Sequence, residues 1–503
     1  LVNLRRDLVL ASFAWESKGI MGITVVGLGP GSSKYLTREA WEILSAANDI
    51  YLRTERHPAM ADLPEGPKLH SFDYIYQSEQ DFDSVYRNIV GKLLELGGEG
   101  DIVYAVPGNP FVGESTVIAL LKEAALHQMP VKVVSGLSFI EPVLQALGHD
   151  ALDGLQVADA LSVADSYYPS LHADQAVMLG QVYNRFIAGE VKQALSAIYP
   201  DQHPVSLVHM AGEKDEVVEH LPLYKIDRSD QINHLTSLFI PALPAASTVP
   251  ALAETVAVLR SPNGCPWDIE QTPQSMREGF LEEAYEVLDA IDRQDNDNLR
   301  EELGDMLYHI VMQAQMASEG GDFILSDVIS EIETKLKRRH PHVWGDWEVN
   351  NTAEVLANWE LLKKQEKGKS ESQSLLDDIL KNLPALSRSQ KIQNKVGKAG
   401  FDWPDISGVY EKVVEEIDEL KAAGIPEERT AELGDLLFVI VNLARHYGVE
   451  AESALREANE RFEQRFRLVE GLAGQRKQNF KQMSLEEMNI LWEEAKETLA
   501  KAE

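Results

Sequence analysis

Glu282-Glu283-Ala284-Tyr285-Glu286, followed by Glu302-Leu303-Gly304-Asp305-Met306-Leu307, returns later in the chain as Glu415-Glu416-Ile417-Asp418-Glu419 and Glu432-Leu433-Gly434-Asp435-Leu436-Leu437. The first cluster repeats at an offset of 133 residues and the second at 130, so only the connecting turn changes length. Two copies of one pattern imply a tandem duplication. Helical residues three and four apart share a face. Glu283 therefore projects with Glu286 and Glu302 with Asp305, as do Glu416 with Glu419 and Glu432 with Asp435. A short connection makes the two helices antiparallel neighbours, so both pairs can meet inside a bundle. Four carboxylates on one surface repel one another unless a cation joins them. A single Glu-Glu-x-x-Glu is ordinarily a solvated helix face; the full doublet occurring twice argues against that reading.

Ligand type decides the cation. Di-iron bundles use Glu-x-x-His, whereas the i+3 positions here are Glu286, Asp305, Glu419 and Asp435. His309 lies one turn after Asp305, but its counterpart is Val439, so it reads as a packing residue. Oxygen-only ligands select Mg²⁺, or Mn²⁺, over zinc and iron. Mg²⁺ held by carboxylates keeps waters and binds substrate phosphates, which predicts metal-assisted hydrolysis of a phosphate-containing substrate. Glu282 or Glu415 could accept the water proton. A basic helix follows each copy, with Lys335 and Arg339 in one and Arg461 and Arg465 in the other, each pair spaced i, i+4. Those cations suit phosphate oxygens.

Outward from the repeat, the texture changes before about residue 250. ITVVGLG (23–29), DIYLRT (49–54), DIVYAVPG (101–108), VKVVSG (131–136), AVMLG (176–180) and VSLVHM (205–210) read as strands alternating with amphipathic helices. That alternation predicts an α/β region with largely parallel sheets. Three small-residue loops end strands: Gly27, Gly29 and Gly31 in the first, Gly108 and Asn109 in the second, Ser135, Gly136 and Ser138 in the third. Strand C-termini are where open α/β sheets bind ligands. The second strand ends in Arg53-Thr54 instead of the acidic residue that a dinucleotide ribose would need.

The expected organisation is an extension of unclear role at 1–20, an α/β domain at 21–240 and a Pro/Ala/Ser-rich linker at 241–250. Helical domains at 251–366 and 375–503 follow, separated by a polar linker at 367–374. With 503 residues, 44% hydrophobic and 25% charged, the chain has the composition of a globular protein. It has no apolar run long enough for a membrane helix. A net charge of −34 argues against nucleic-acid polymers as partners. The lone Cys265 rules out an intramolecular disulfide and suggests a reducing, cytoplasmic setting.

The runs Leu259-Arg-Ser-Pro-Asn-Gly-Cys-Pro-Trp-Asp268, Arg338-Arg-His-Pro-His-Val-Trp-Gly-Asp346 and the first doublet resemble the first domain of MazG proteins. Lys395-Val-Gly-Lys-Ala-Gly-Phe-Asp-Trp403, the second doublet and Ala458-Asn-Glu-Arg-Phe-Glu-Gln-Arg-Phe466 resemble the second. The resemblance implies all-α domains that dimerise and cleave nucleoside triphosphates to monophosphate and pyrophosphate. It makes the eight doublet carboxylates Mg²⁺ ligands, and Lys412, Arg461, Arg465 and Trp492 nucleotide contacts. Cys265, inside a family motif and without a nearby histidine, reads as structural. The N-terminal loops, with Leu52-Arg-Thr-Glu-Arg-His-Pro58 and Gln181-Val-Tyr-Asn-Arg185, resemble a tetrapyrrole methylase domain of the YabN type, which binds S-adenosylmethionine between two α/β lobes. One departure is Gly108-Asn109-Pro110, where that family commonly has Gly-Asp-Pro. Two other functions stay open: a methyltransferase whose helical half serves dimerisation, and a nucleotide sensor without turnover.

Overall fold

The computed structural model describes residues 22–79, 81–366 and 374–500. The expected extension at 1–20 and all but Ser374 of the expected 367–374 linker lie outside the described residues. By its internal contacts the chain divides into two units, one ending at Ile332 and the other starting at Glu333.

The first unit begins with two α/β lobes. β1 (Ile23–Gly27), β2 (Asp49–Leu52), β3 (Lys68–Ser71), β4 (Ile102–Val106) and β5 (Val131–Val134) form a sheet in the order β3-β2-β4-β1-β5. All its pairings are parallel. Apolar runs suit such strands because helices cover both faces: Ile23, Val25, Val26, Ile50 and Leu52 have no exposed surface.

β6 (Leu155–Asp159), β7 (Ala176–Gly180), β8 (Pro204–His209), β9 (Val217–Pro222) and β10 (Thr236–Ile240) form the second lobe, in the order β6-β7-β10-β8-β9. Here the expectation of largely parallel sheets needs correction. Only β6 and β7 run parallel; the β7–β10, β8–β10 and β8–β9 pairs are antiparallel. The cause is connection length: β8 returns to β9 through a short loop with no room for the crossover helix that parallel neighbours require.

The Pro/Ala/Ser stretch is ordered at its far end. Asp174 accepts hydrogen bonds from the Ser247 backbone and the Thr248 hydroxyl. Thr248 caps helix α1 (Val249–Leu259), whose second residue is Pro250. Proline fits there because a first-turn N–H has no intrahelical partner.

The rest of this unit is helical. α2 (Arg277–Asp292) and α3 (Asn296–Gly320) pack as an antiparallel pair, joined by a turn that ends at the α3 cap, Asp295. Gly321, at φ +79°, terminates α3 in the left-handed conformation. Val256, Met276, Val311, Met312 and Met316 form the local core. Helix α4 (Leu325–Arg339) carries the chain across the division.

In the second unit, α5 (Ala385–Lys398), α6 (Ile406–Ala422), α7 (Pro426–His446), α8 (Ala451–Gln475) and α9 (Leu485–Ala500) follow one another. α6 and α7 pair as α2 and α3 do. Among the described residues no helix is long and apolar enough to cross a membrane.

Candidate active site

The helical pairs bring the doublets together as their spacing requires. Carboxylate oxygens of Glu283 on α2 and of Glu302 and Asp305 on α3 lie within 4.8 Å of one another. Glu416 on α6 and Glu432 and Asp435 on α7 do the same. In both copies the aspartate is exposed and the α3 or α7 glutamate half-buried; Glu283 is half-buried too, whereas Glu416 is only 4% exposed. Glu286 and Glu419 stand at the margin. Glu286 acts on Glu283 and Glu302, and Glu419 on Glu432, through charge. Glu282 and Glu415, the expected proton acceptors, are exposed and outside both three-carboxylate groups.

The electrostatics match a cluster built to receive positive charge. Desolvation, reinforced by Asp305, Glu286 and Glu302, raises the Glu283 pKa. Desolvation and the neighbouring carboxylates raise Glu302 and Glu432 likewise. Glu416 Oε2 is buried without a hydrogen-bond partner, a costly condition that a cation would relieve. A hard divalent ion fits this donor set.

The copies differ in what they place beside the deep glutamate. Lys412 Nζ lies 2.7 Å from Glu416 Oε1 and 3.0 Å from Glu415 Oε1, and these bonds hold the ammonium pKa above its usual value. The first copy has Gly279 at the aligned position and no lysine. Instead His309 Nε2 stands 3.9 Å from Glu283 Oε1.

The other expected nucleotide contacts gather on separate helices. On α8 and α9 the Arg465 guanidinium sits 6.0 Å from the Trp492 ring centroid, and the Phe462 ring lies tilted at 5.1 Å from the same indole. Arg461 is exposed and pairs with Glu457 one turn back. On α4 Lys335 is half-buried, and Arg339 lies 5.7 Å from the Trp359 ring centroid. Cys265 immediately precedes the short helix Pro266–Glu270, its side chain making no capping hydrogen bond.

In the α/β region a cleft, partly open to solvent, lies between the lobes. Of the eight loop residues expected to hold a cofactor, Gly108 lines it. The others knot the loops together. A Cβ on Gly27 would stand 2.6 Å from Gly108 O, and one on Gly136 2.5 Å from that same oxygen, so both glycines permit backbone contact. Gly29 pairs with Gly108 in an isolated bridge. A Cβ on Gly31 would strike the Glu213 carboxylate. Asn109 Nδ2 donates to Gly136 O at 2.7 Å, a bond that the familiar aspartate could not donate. Ser135 O accepts from the Thr37 hydroxyl, and Ser138 bonds Glu141.

Other residues do line the cleft. Arg53 at the end of β2 forms a buried ion pair with Glu114 and donates to Tyr76 Oη at 2.8 Å. Burial opposes the guanidinium charge, but Glu114 beside it raises the Arg53 pKa overall. His57 Nε2 bonds Gly29 O at 3.0 Å, and burial lowers its pKa to about 4, so the ring is neutral at pH 7. Gln181 and Met210 also face the cleft, with φ of +66° and +49°. Side chains rarely adopt that region outside functional or constrained sites. The sequence hint was Arg53 itself, basic where a dinucleotide site would be acidic.

A two-lobed α/β unit followed by helical carboxylate doublets defines a methylase-like domain fused to pyrophosphohydrolase-type domains. Residues 22–227 match the tetrapyrrole (corrin/porphyrin) methylases, 271–344 the MazG nucleotide pyrophosphohydrolase domain, and 392–462 phosphoribosyl-ATP pyrophosphohydrolase. The chain belongs to the YabN family: it is 41% identical over 485 residues to the uncharacterized protein YabN of Bacillus subtilis, covering 95% of this chain and 98% of that one. It is 49% identical over 244 residues to the nucleoside triphosphate pyrophosphohydrolase of Escherichia coli, covering 47% of this chain and 93% of the relative. The nucleoside triphosphate pyrophosphohydrolase/pyrophosphatase MazG of Thermotoga maritima is 44% identical over 245 residues, covering 49% and 94%.

Proposed function

We propose that the helical half hydrolyses nucleoside triphosphates to the monophosphate and pyrophosphate, with Mg²⁺ or Mn²⁺ held by the doublets. The observation that carries this reading is the convergence of three carboxylates in each copy, one with an orphaned buried oxygen. Glu283, Glu302 and Asp305, or Glu416, Glu432 and Asp435, would hold the ion, with Glu286 and Glu419 completing its shell. When bound, the ion supplies the Lewis acidity that neutralises polyphosphate charge and makes water a better nucleophile. Lys412 orients the Glu416 carboxylate and offsets its charge. Glu415, exposed and bonded to Lys412, is the group open to take a proton from attacking water. Lys335, Arg339, Arg461 and Arg465 offer donors to phosphate oxygens, and Trp492 offers a face for a base.

The partner we infer is a second copy of this chain. Leu281, Tyr285 and Leu288 on α2, and Leu303, Leu307 and Ile310 on α3, are exposed at i, i+4, i+7 spacing. Leu433, Leu437 and Ile440 repeat the α3 row on α7. Such rows suit pairing with another helix. The domain limits 21–240, 251–366 and 375–503 and a cytoplasmic location complete this reading.

A second reading concerns the cleft. The space beside Gly108 accepts a Cβ with nothing within 4 Å, so a ligand can lie against that backbone. S-adenosylmethionine fits the apolar walls and few polar groups there, and methyl transfer is the activity it would support. The test of the main reading is chromatography of products from ATP and Mg²⁺. AMP with pyrophosphate is expected; ADP with orthophosphate contradicts it.

A further inference from the structure

The copies differ by one ammonium. On α6, Lys412 stands one turn before Glu416, with its Nζ 2.7 Å from Glu416 Oε1 and 3.0 Å from Glu415 Oε1. Its charge also reaches α7, where it opposes the carboxylates that raise Glu432. Glu416 is buried, and its other oxygen, Oε2, has no hydrogen-bond partner. One edge of that carboxylate is therefore offset by the chain itself, and the other is left for a cation. On α2 the aligned position is Gly279. A side chain there is crowded, because a Cβ would stand 3.1 Å from His309 Cε1 and 3.3 Å from Nε2. His309 brings no matching charge, since burial disfavours its protonated ring. The charged groups that act most strongly on Glu283 and Glu302 are all carboxylates. In a medium as polarisable as water, a unit charge about 5 Å from a divalent ion changes its affinity by about tenfold.

Resting on the reading of the doublets as cation sites, we propose that Lys412 is a built-in competitor for the cation in the second copy, so that the two copies fill in sequence. The first copy, a group of carboxylates with no ammonium beside it, takes its ion at the lower free concentration. The second loses part of its attraction to Lys412 and fills at a concentration about tenfold higher. Lys412 thus sets the cation affinity of the second copy without being a ligand. A free cation level between the two leaves the first copy loaded and the second empty, so the second copy responds to a rise in divalent ion that the first does not register.

The test is a titration of the full chain with Mn²⁺ at pH 7.5, with free ion counted by electron paramagnetic resonance. Two classes of site are expected, about tenfold apart in affinity. Glu283→Gln removes the tighter class and Glu416→Gln the weaker. Lys412→Met, which keeps the apolar stem and loses the charge, tightens the weaker class by about tenfold. Lys412→Arg, which keeps the charge, retains both classes. A lysine that only propped the second site in shape would weaken that site when replaced by methionine, so the direction of the change separates the two roles. An unchanged or weakened second-copy affinity in Lys412→Met overturns the proposal. So does a single class in the unsubstituted chain, or a weaker class that Glu283→Gln removes. No bound Mn²⁺ at all is a different result and overturns the cation-site reading beneath it.

Discussion

The α/β lobes and the helical copies satisfy their charges and apolar surface in different ways. In the lobes the Arg53–Glu114 pair is buried and bonded on both sides, beside β2 and β4, where Ile50, Leu52, Tyr104 and Val106 have no exposed surface. In the helical copies carboxylates face one another with raised pKa values, and rows of leucines face outward. The Arg53 and Glu114 charges are satisfied within the lobes. The helical pairs leave two needs unmet, positive charge for the clusters and apolar cover for the leucine rows, and both point to ligands or partners. Stability in the lobes should therefore respond to internal substitutions, and in the helical copies to what is added.

The sharpest contrast is expected from Glu114→Ala, which leaves Arg53 buried without its partner. A loss of about 3–5 kcal/mol in the stability of the lobes is expected, read by chemical denaturation. A similar loss from Glu282→Ala, an exposed residue, would break the comparison. His57 gives the next effect. Its pKa falls from 6.5 to about 4 on folding, because burial disfavours the charged ring. The neutral ring's contribution is present above pH 6.5 and lost as pH falls towards 4, to a limit of about 3 kcal/mol. His57→Gln, which can still donate to Gly29 O, should flatten the lobes' stability over that window.

Ions should act on the helical copies instead. Their cluster carboxylates are raised by desolvation and by one another, so the metal-free copies lose stability as pH rises through that range. Mg²⁺ at a hundredfold excess over its dissociation constant should restore about 2.7 kcal/mol, and more at pH 7.5 than at pH 5. A shift confined to the lobes, followed by hydrogen exchange, would contradict the assignment. Smallest is Leu437→Ser, which should weaken self-association by about 2 kcal/mol in analytical ultracentrifugation if that row is covered by a second copy.

Much of this contrast was legible in the sequence, for physical reasons. The doublets were readable because helical spacing alone puts acids on one face, and duplication made chance implausible. All six strands read from apolar runs are present. Four others escaped notice. β3 is an exposed edge with a polar sequence, β6 and β9 alternate weakly, and β10 is five residues beside prolines. The Arg53–Glu114 pair joins residues 61 apart, which no local pattern reports. The glycine loops were read as a ligand cradle, whereas most of their residues hold loop against loop. His309 was readable as packing because Val439 replaces it; the compensating Gly279 became visible only when the helices were paired.

The central claim is that the carboxylate doublets are where nucleoside triphosphates are cut. It is tested most directly by Mg²⁺-dependent pyrophosphate release from four full-length chains: unsubstituted, Glu283→Gln, Glu416→Gln and the double variant. The account predicts release from the unsubstituted chain, a fall with at least one single substitution, and none from the double variant. Undiminished pyrophosphate release from the double variant would contradict it.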